Sequence, residues 1–289
     1  MELCEQNEEW DLVIKPTTSL FDINLKELWK YRDLIILFVR RDFVSVYTQT
    51  ILGPVWFFIQ PILTTITFTI IFGNLANIST DGIPPFLFYL SGITLWTYFA
   101  DCLNKTSTTF VNNAGIFGKV YFPRLAAPLS VIISNLIKLG IQFILFLSAW
   151  IYFIVSTDKI HPHWNLLWLI PVLIIMMAFM GFGFGIFISS LTTKYRDFTF
   201  LVGFGVQLIM YASPIVYPIS VVQEKHPEYE KWLLLNPVSS IIEAFKFIFL
   251  GNGYFCWKAI GYSGIFMSIL VLISVGVFNR VEKTFMDTV

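Results

Sequence analysis

The sequence predicts an all-α integral membrane protein with six transmembrane helices, an N-terminal amphipathic interfacial helix and short re-entrant helices on the outer side. Three observations predict it. The 289 residues are 56% hydrophobic and only 13% charged, with 30 phenylalanines, whereas soluble domains carry roughly 25% charged residues. The mean hydropathy is +0.71, more apolar surface than a water-soluble fold of this length can hide. Six stretches reach the ~20 mainly apolar residues that a crossing requires.

The elements follow in order along the chain. Residues 1–23 are a charged tail without the apolar core of a secretory signal, and they are assigned to the cytoplasm with no role. Residues 24–50 are the amphipathic helix. Asn24 can cap it with Glu27 at the capping-box position, and Leu25, Leu28, Trp29, Ile36, Val39 and Phe43 make its apolar face. It is too charged to cross, and it leads through Gly53-Pro54 into the first span, so it is read as lying in the interface. Residues 51–289 form the six-span transmembrane domain, with spans at about 52–73, 84–103, 126–155, 166–191, 199–218 and 259–279. The third is long enough to tilt.

Lys and Arg set the orientation. With the N-terminus inside, the inner segments hold Lys26, Lys30, Arg32, Arg40 and Arg41, then Lys105, Lys119 and Arg124, then Lys194 and Arg196, then Arg280 and Lys283. The outer loop 74–83 holds none and the loop 156–165 only Lys159. Both termini are therefore expected in the cytoplasm. The box KVYFPRLAAPLS (119–130) falls at the inner foot of span three, where Pro123 biases Phe122 away from helix. In the outer segment 219–258, the apolar helix within Asn236–Gly253 is too short to cross. It is read as part of a re-entrant segment, 228–250, with a helix lying on the surface as the alternative. Glu243 and Lys246, three apart, can pair on one face of it.

Several chemistries are argued against. Zero net charge leaves no footprint for nucleic acid. The three cysteines, Cys4, Cys102 and Cys256, lie far apart without metal spacing. NAGIFGKV (113–120) has Asn113 where a P-loop needs glycine and Val120 where it needs a hydroxyl. ATP, if used, is therefore expected on another subunit. The pair His161 and His163 is read as loop histidines rather than metal ligands. No carboxylate is placed at mid-depth in spans one or three to six, which argues against an ion-coupled carrier.

Polar stripes recur at helical spacing: Gln60, Thr64 and Thr67; Thr94, Thr97 and Asp101; Asn135, Lys138 and Gln142; Gln207 and Tyr211. Helix–helix contact and the lining of a path are both open readings. Lys138 lies roughly 18 Å into span three. There it either faces a bundle interior, with Asp101 as a partner nearer the inner surface, or snorkels inward. Trp56, Gln60, Trp96, Tyr98, Lys138 and Tyr211 are the channel-lining candidates, since aromatic faces with polar edges and polar side chains can line a path.

Four stretches together resemble the polysaccharide and polyol-phosphate export permeases, the membrane subunits of type-2 ABC exporters for O-antigen, capsule and teichoic acid. They are GPVWFFIQPILTTITFTIIFG (53–73), LFYLSGITLWTYFADCLN (87–104), the KVYFPR box and LNPVSSIIEAFK (235–246). The resemblance implies a homodimer in the bacterial inner membrane, contacting membrane lipids, with two separate nucleotide-binding subunits that hold ATP and Mg. This chain itself would bind no cofactor. A channel between the two copies would pass an undecaprenyl-linked glycan. The amphipathic helix would be a gate helix. The loop 104–125 would touch the ATPase through Gly115, Ile116, Phe117 and Lys119. Arg40, Arg41 and Arg124 would admit the substrate or hold its lipid phosphate. A drug or lipid permease of the same type is the alternative, and a membrane-embedded glycosyl- or acyltransferase using His161 and His163 is a further one.

Overall fold

In a computed structural model, residues 25–48, 50–117, 119, 121–192, 195 and 197–284 are described. The tail 1–23, Asn24, Lys194 and Arg196 lie outside the described residues. Among the described residues the fold is helical throughout. Helices α1 (Leu25–Lys30) and α2 (Arg32–Tyr47) precede a 3-10 turn, Gly53–Val55, which feeds α3 (Trp56–Phe68). Then come α4 (Pro85–Ser107), α5 (Thr109–Phe117), α6 (Ala126–Ser156), α7 (Leu169–Thr192) and α8 (Phe198–Tyr211). The chain ends through α9 (Ile219–Lys225), α10 (Pro227–Leu235), α11 (Pro237–Leu250) and α12 (Trp257–Thr284).

Five helical stretches are long and apolar enough to cross a membrane: Gly53–Leu75, α4, α6, α7 and Trp257–Arg280 of α12. They match five of the six expected spans. The fifth expected span, 199–218, is corrected. Its helix stops at Tyr211 after 14 residues, roughly 21 Å of rise. Pro214 and Pro218 follow in a turn and cannot donate to a helix ladder. Ile215 and Val216 instead bury themselves in the protein. The α10–α11 pair bends by 100° at Asn236, so it is a broken span or a re-entrant loop.

The amphipathic segment is also corrected. It breaks at Tyr31, between α1 and α2. Ile35 and Phe38 are the buried residues, while Trp29 is 70% and Ile36 62% exposed. The face turned to the protein is thus rotated from the expected one. The segment is apolar on more than one side, and only packing selects which side turns inward.

Helix α4 is the centre of the bundle. Every residue from Leu87 to Trp96 is buried, and α3, α6, α7, α8 and α11 all pack on it. The closest approach is to α7, and glycine permits it. A Cβ on Gly181 would stand 2.6 Å from the Cys102 Cβ, and one on Gly185 2.5 Å from the Thr106 Cβ. Gly183, on another face of α7, admits Leu270 of α12, whose Cγ would be 2.9 Å from such a Cβ. Small residues four apart let helices meet closely where lipid offers no hydrophobic drive.

Two cores result. The larger joins α4, α6, α7, α8 and α11; the smaller joins α2, α5, the start of α6 and Phe278 of α12. The threonines of the first span satisfy their hydroxyls within their own helix. Thr64, Thr65, Thr67 and Thr69 return their hydroxyls to carbonyls one turn back. The span ends in a π-turn, Thr69–Leu75.

Replacing Gly185 by valine should force α4 and α7 apart at a cost of about 1–3 kcal/mol. We expect a melting temperature in detergent lower by several degrees, on the order of 5 °C. Gly140→Ala, with nothing within 4 Å of a new Cβ, should leave it unchanged.

Candidate functional site

At the end that the charge bias assigns to the cytoplasm, α4 stops at Ser107 and the chain restarts as α5. Aromatic rings root this short helix. Phe110 stacks on Phe278 of α12 with centroids 5.0 Å apart, and Phe117 packs on Phe122 at 5.4 Å. Phe122 in turn meets Phe38 of α2 edge-on at 5.7 Å. In the KVYFPR box, Phe122 is therefore the anchor. The Pro123 carbonyl accepts from the Ala126 amide at 2.9 Å and so starts α6. Gly115, Ile116 and Lys119 are exposed. Phe117, expected to face an ATPase, is corrected: it is buried and holds α5 to the body. Residues Asn113–Phe117 are helical.

Beside α5 lies a polar cavity of about 300 Å³, walled by α2, α3, α4, α5 and α6. Arg41, Lys105 and Lys138 line it together with Asp42, Asn113, Ser134 and Asn135. Arg41 holds Asp42 at 2.8 Å and donates to Asn113 Oδ1 at 3.1 Å. Its guanidinium also lies over the Phe38 ring. Lys105 donates to Asn135 Oδ1 at 2.9 Å. Lys138 pairs with Asp101 at 2.6 Å, so it faces the bundle and does not snorkel. Of the three expected headgroup cations, Arg41 reaches this cavity. Arg40 is exposed on α2, and Arg124 is partly buried at the turn before α6.

The opposite end is organised around α11. Asn236 caps it, its Oδ1 accepting from the Val238 amide at 3.1 Å, with Pro237 at the first helical position. This is the physical content of the NP pair: a cap followed by a residue that lacks the amide a cap would have to satisfy. Gly251 ends the helix in the left-handed region at φ 83°. His163 fills in behind it. Its amide donates to the Ile248 carbonyl at 2.9 Å, its Nδ1 lies 3.1 Å from the Phe247 carbonyl, and its ring stacks on Phe247 at 4.0 Å. A Cβ on Gly251 would collide with the His161 backbone. His161-Pro162-His163 is thus a helix-capping segment.

Glu243 and Lys246 lie deep in this end, each 1% exposed, with Nζ and Oε1 3.9 Å apart. Lys246 also donates to the Pro214 carbonyl and sits 3.6 Å from the centroid of the Phe88 ring. Glu243 accepts from the Tyr254 amide at 3.1 Å. The pair ties α11 to α4, to the turn after α8 and to the loop before α12.

The channel-lining candidates separate. Trp56, Gln60 and Tyr211 are exposed. Trp96 and Tyr98 are corrected to core residues, because α4 is enclosed on nearly all sides. The stripe Asn135, Lys138 and Gln142 turns inward toward α4, with Asn135 and Gln142 buried. From sequence, Lys105 counts only toward orientation and Asn113 only toward rejecting a P-loop, and the glycines of α7 are not singled out. The four-residue spacing Gly181–Gly185 was the available signal.

Helices of this length and hydropathy, closed on a buried central span and carrying a charged cavity at one end, define a multi-pass membrane protein. The profile of the ABC-2 type transporter family matches residues 33–250, and the chain belongs to that family. Membership implies association with ABC ATP-binding subunits. Two relatives from Klebsiella pneumoniae, each named O-antigen export system permease protein RfbA, are 28% identical over 256 residues and 27% over 259. Each alignment covers 88% of this chain and 94% of the relative. A Myxococcus xanthus protein of the same name is 25% identical over 225 residues, 78% of this chain and 83% of its own length.

Removing one partner of a buried ion pair costs about 3–5 kcal/mol. Lys246→Met should therefore lower thermal stability in detergent sharply. The double variant Glu243→Gln with Lys246→Met should recover part of that loss. Strict additivity of the two single effects would show that the pair does not act as a unit.

Proposed function

We propose that this chain is the membrane subunit of an ATP-driven exporter that carries a lipid-linked polysaccharide, O-antigen-like or alternatively capsule or teichoic acid, across the bacterial inner membrane. It works as a homodimer with two nucleotide-binding subunits, with its N-terminus and C-terminus in the cytoplasm. ATP and Mg belong to those subunits. The names of the relatives support the cargo class. The observation that carries the mechanism is α5, a short helix with an exposed tip and a root of stacked rings.

A push on Gly115 and Ile116 from an ATPase below cannot be absorbed by a loop, because the ring contacts of Phe110 and Phe117 pass it on. It reaches α12 through Phe278, and α2 through Phe122 and Phe38. Helix α2, lying against the start of α6, then acts as the moving gate. Between two copies, exposed Trp56, Gln60, Gln207 and Tyr211 supply stacking faces and hydrogen bonds along a path that one subunit alone does not enclose. Arg40 and Arg124 stand where anionic headgroups meet the protein. A glycosyl- or acyltransferase reading loses its candidate histidine pair, since His163 is engaged in capping α11.

The test is reconstitution with the cognate ATPase. Ile116→Arg should reach the membrane at normal levels, yet export glycan at least tenfold more slowly and retain less ATPase in co-purification, the cost being a buried unpaired charge at the contact. Wild-type export and co-purification in this variant would overturn the coupling role of α5.

A further inference from the structure

We infer that the pocket between the loop before α4, helix α9 and the loop after α11 is a binding site for one uncharged sugar residue of the exported glycan. Asp81, Gln223 and Asn252 accept its hydroxyls, and Tyr254 offers a ring face. The inference rests on the export reading and deepens it. Among the cargoes proposed, it selects an uncharged glycan over one that carries uronate or phosphodiester groups.

Place and shape come first. The volume is about 360 Å³, at the small end for ligand sites. The pocket adjoins the α11 end of the proposed path. Tyr211 ends α8 on that path, and the Tyr217 hydroxyl donates to its carbonyl at 3.1 Å. Helix α9, which brings Ser220 and Gln223 to the pocket, begins two residues later. The backbone is shaped before any ligand arrives. Asp81, Gly251 and Gly253 hold positive φ, at 53°, 83° and 137°. Buried Glu243 fixes the floor from beneath: it accepts the Tyr254 amide at 3.1 Å, and a Cβ on Gly253 would stand 3.3 Å from its Oε2. A preformed pocket gives up little freedom when a ligand binds.

Hydrogen bonding sets the class of ligand. The side-chain donors of the lining are already in use. Ser220 donates to both Asp81 carboxylate oxygens at 2.8 Å, Gln223 Nε2 to Glu230 Oε1 at 2.7 Å, and Asn252 Nδ2 to the Asp81 carbonyl at 2.9 Å. The acceptors are not used up. Among the described residues, Gln223 Oε1 and Asn252 Oδ1 have no hydrogen bond. A carboxylate has about four lone-pair sites, more than one hydroxyl fills. Such a lining takes a ligand that donates. A hard cation gathers about six to eight oxygens, usually from several carboxylates. Asp81 is the one carboxylate in the lining, and the described residues hold no group of three His, Cys, Asp or Glu placed for a metal. Sugar hydroxyls fit instead. Two neighbouring ones can share the carboxylate, the amide oxygens can take others, and the C–H face of the ring can lie on Tyr254.

Charge then narrows the sugar. Among the described residues, no lysine or arginine lines the pocket. Lys246, beneath the same floor, is buried and taken up by Glu243 and the Pro214 carbonyl. Glu230 stands behind Gln223 and adds a second negative charge. A uronate or phosphodiester entering here meets the Asp81 carboxylate with no cation between them, and like charges in contact repel. An uncharged sugar meets only acceptors. The pocket therefore favours an uncharged chain as it emerges.

The experiment is saturation-transfer NMR on the permease–ATPase complex in neutral detergent. The probes are the methyl glycosides of glucose, galactose, mannose, rhamnose and N-acetylglucosamine, set against methyl glucuronide and methyl galacturonide. At least one uncharged glycoside should bind, and both uronides about tenfold more weakly, as one like-charge contact implies. Asparagine tolerates the left-handed backbone at position 81. Asp81→Asn should therefore fold, weaken the uncharged glycoside about threefold and bring the uronides level with it. The gain for the uronides is a change that a misfolded variant could not show. Asn252→Ala should weaken the uncharged glycoside about fivefold. No signal from any uncharged glycoside, or equal affinity for the uronides in wild type, would overturn the sugar assignment. Displacement of the bound glycoside by calcium chloride would make the occupant a cation. Unchanged selectivity in Asp81→Asn together with unchanged binding in Asn252→Ala would overturn the pocket. Export of a lipid-linked glycan by the same wild-type preparation keeps the two readings apart. Export without glycoside binding defeats only the pocket, and glycoside binding without export defeats the reading beneath it.

Discussion

The structure depends on the contact between α4 and α7, and that contact depends on two missing side chains. Gly181 and Gly185 bring the α7 backbone against Phe99, Cys102 and Thr106. Within a bilayer, apolar side chains gain nothing by leaving lipid for one another, so close packing itself must hold helices together. An enclosed α4 follows from it. With one side of α4 closed by α7, the remaining sides are free to take α3, α6 and α11, and the two ends of α4 become fixed points. One end launches α5; the other supports α11 through Phe88 and Lys246.

The two ends are built from different interactions. At the α5 end, the joints are phenylalanine rings, non-directional and tolerant of small rotations, and the polar groups line an open cavity. At the α11 end, the joints are capped helix termini, a tryptophan bond from Trp150 Nε1 to the Phe249 carbonyl, and a buried ion pair. Directional bonds in a low-dielectric setting resist displacement more strongly than ring contacts do. The fold thus places its stiff end opposite its adjustable one, the arrangement required if motion enters at α5 and the α11 hairpin must keep its shape.

Hydropathy made the long helices legible, because length and apolarity are set by the bilayer alone. Five of six spans follow from it. The failures share one cause. A helix apolar all round carries no periodic signal for which side meets protein. So Ile35 and Phe38 could not be told from Ile36 and Trp29, and Trp96 and Tyr98 looked as suited to a path as Trp56. Phe198–Tyr211 failed differently: the apolar run continues past Tyr211, but Pro214 and Pro218 end the helix inside it. Where polar residues were few, reading them worked better. Lys138 found Asp101, and Glu243 found Lys246, because an ionised group at depth has few affordable partners.

The site was legible in outline and not in membership. The KVYFPR box lies at the same end of the molecule as the cavity, yet neither of its cations, Lys119 or Arg124, lines it. Lys105 sits on α4 and Asn135 on α6, thirty positions apart, and only the antiparallel return of α6 along α4 joins them. Arg41 comes from a helix whose facing could not be read at all. A cavity whose walls belong to α2, the central span α4, α5 and α6 cannot change its shape without moving them together. In such a geometry a ligand in the cavity and a contact made on α5 would be parts of one equilibrium, each biasing the other by the same factor.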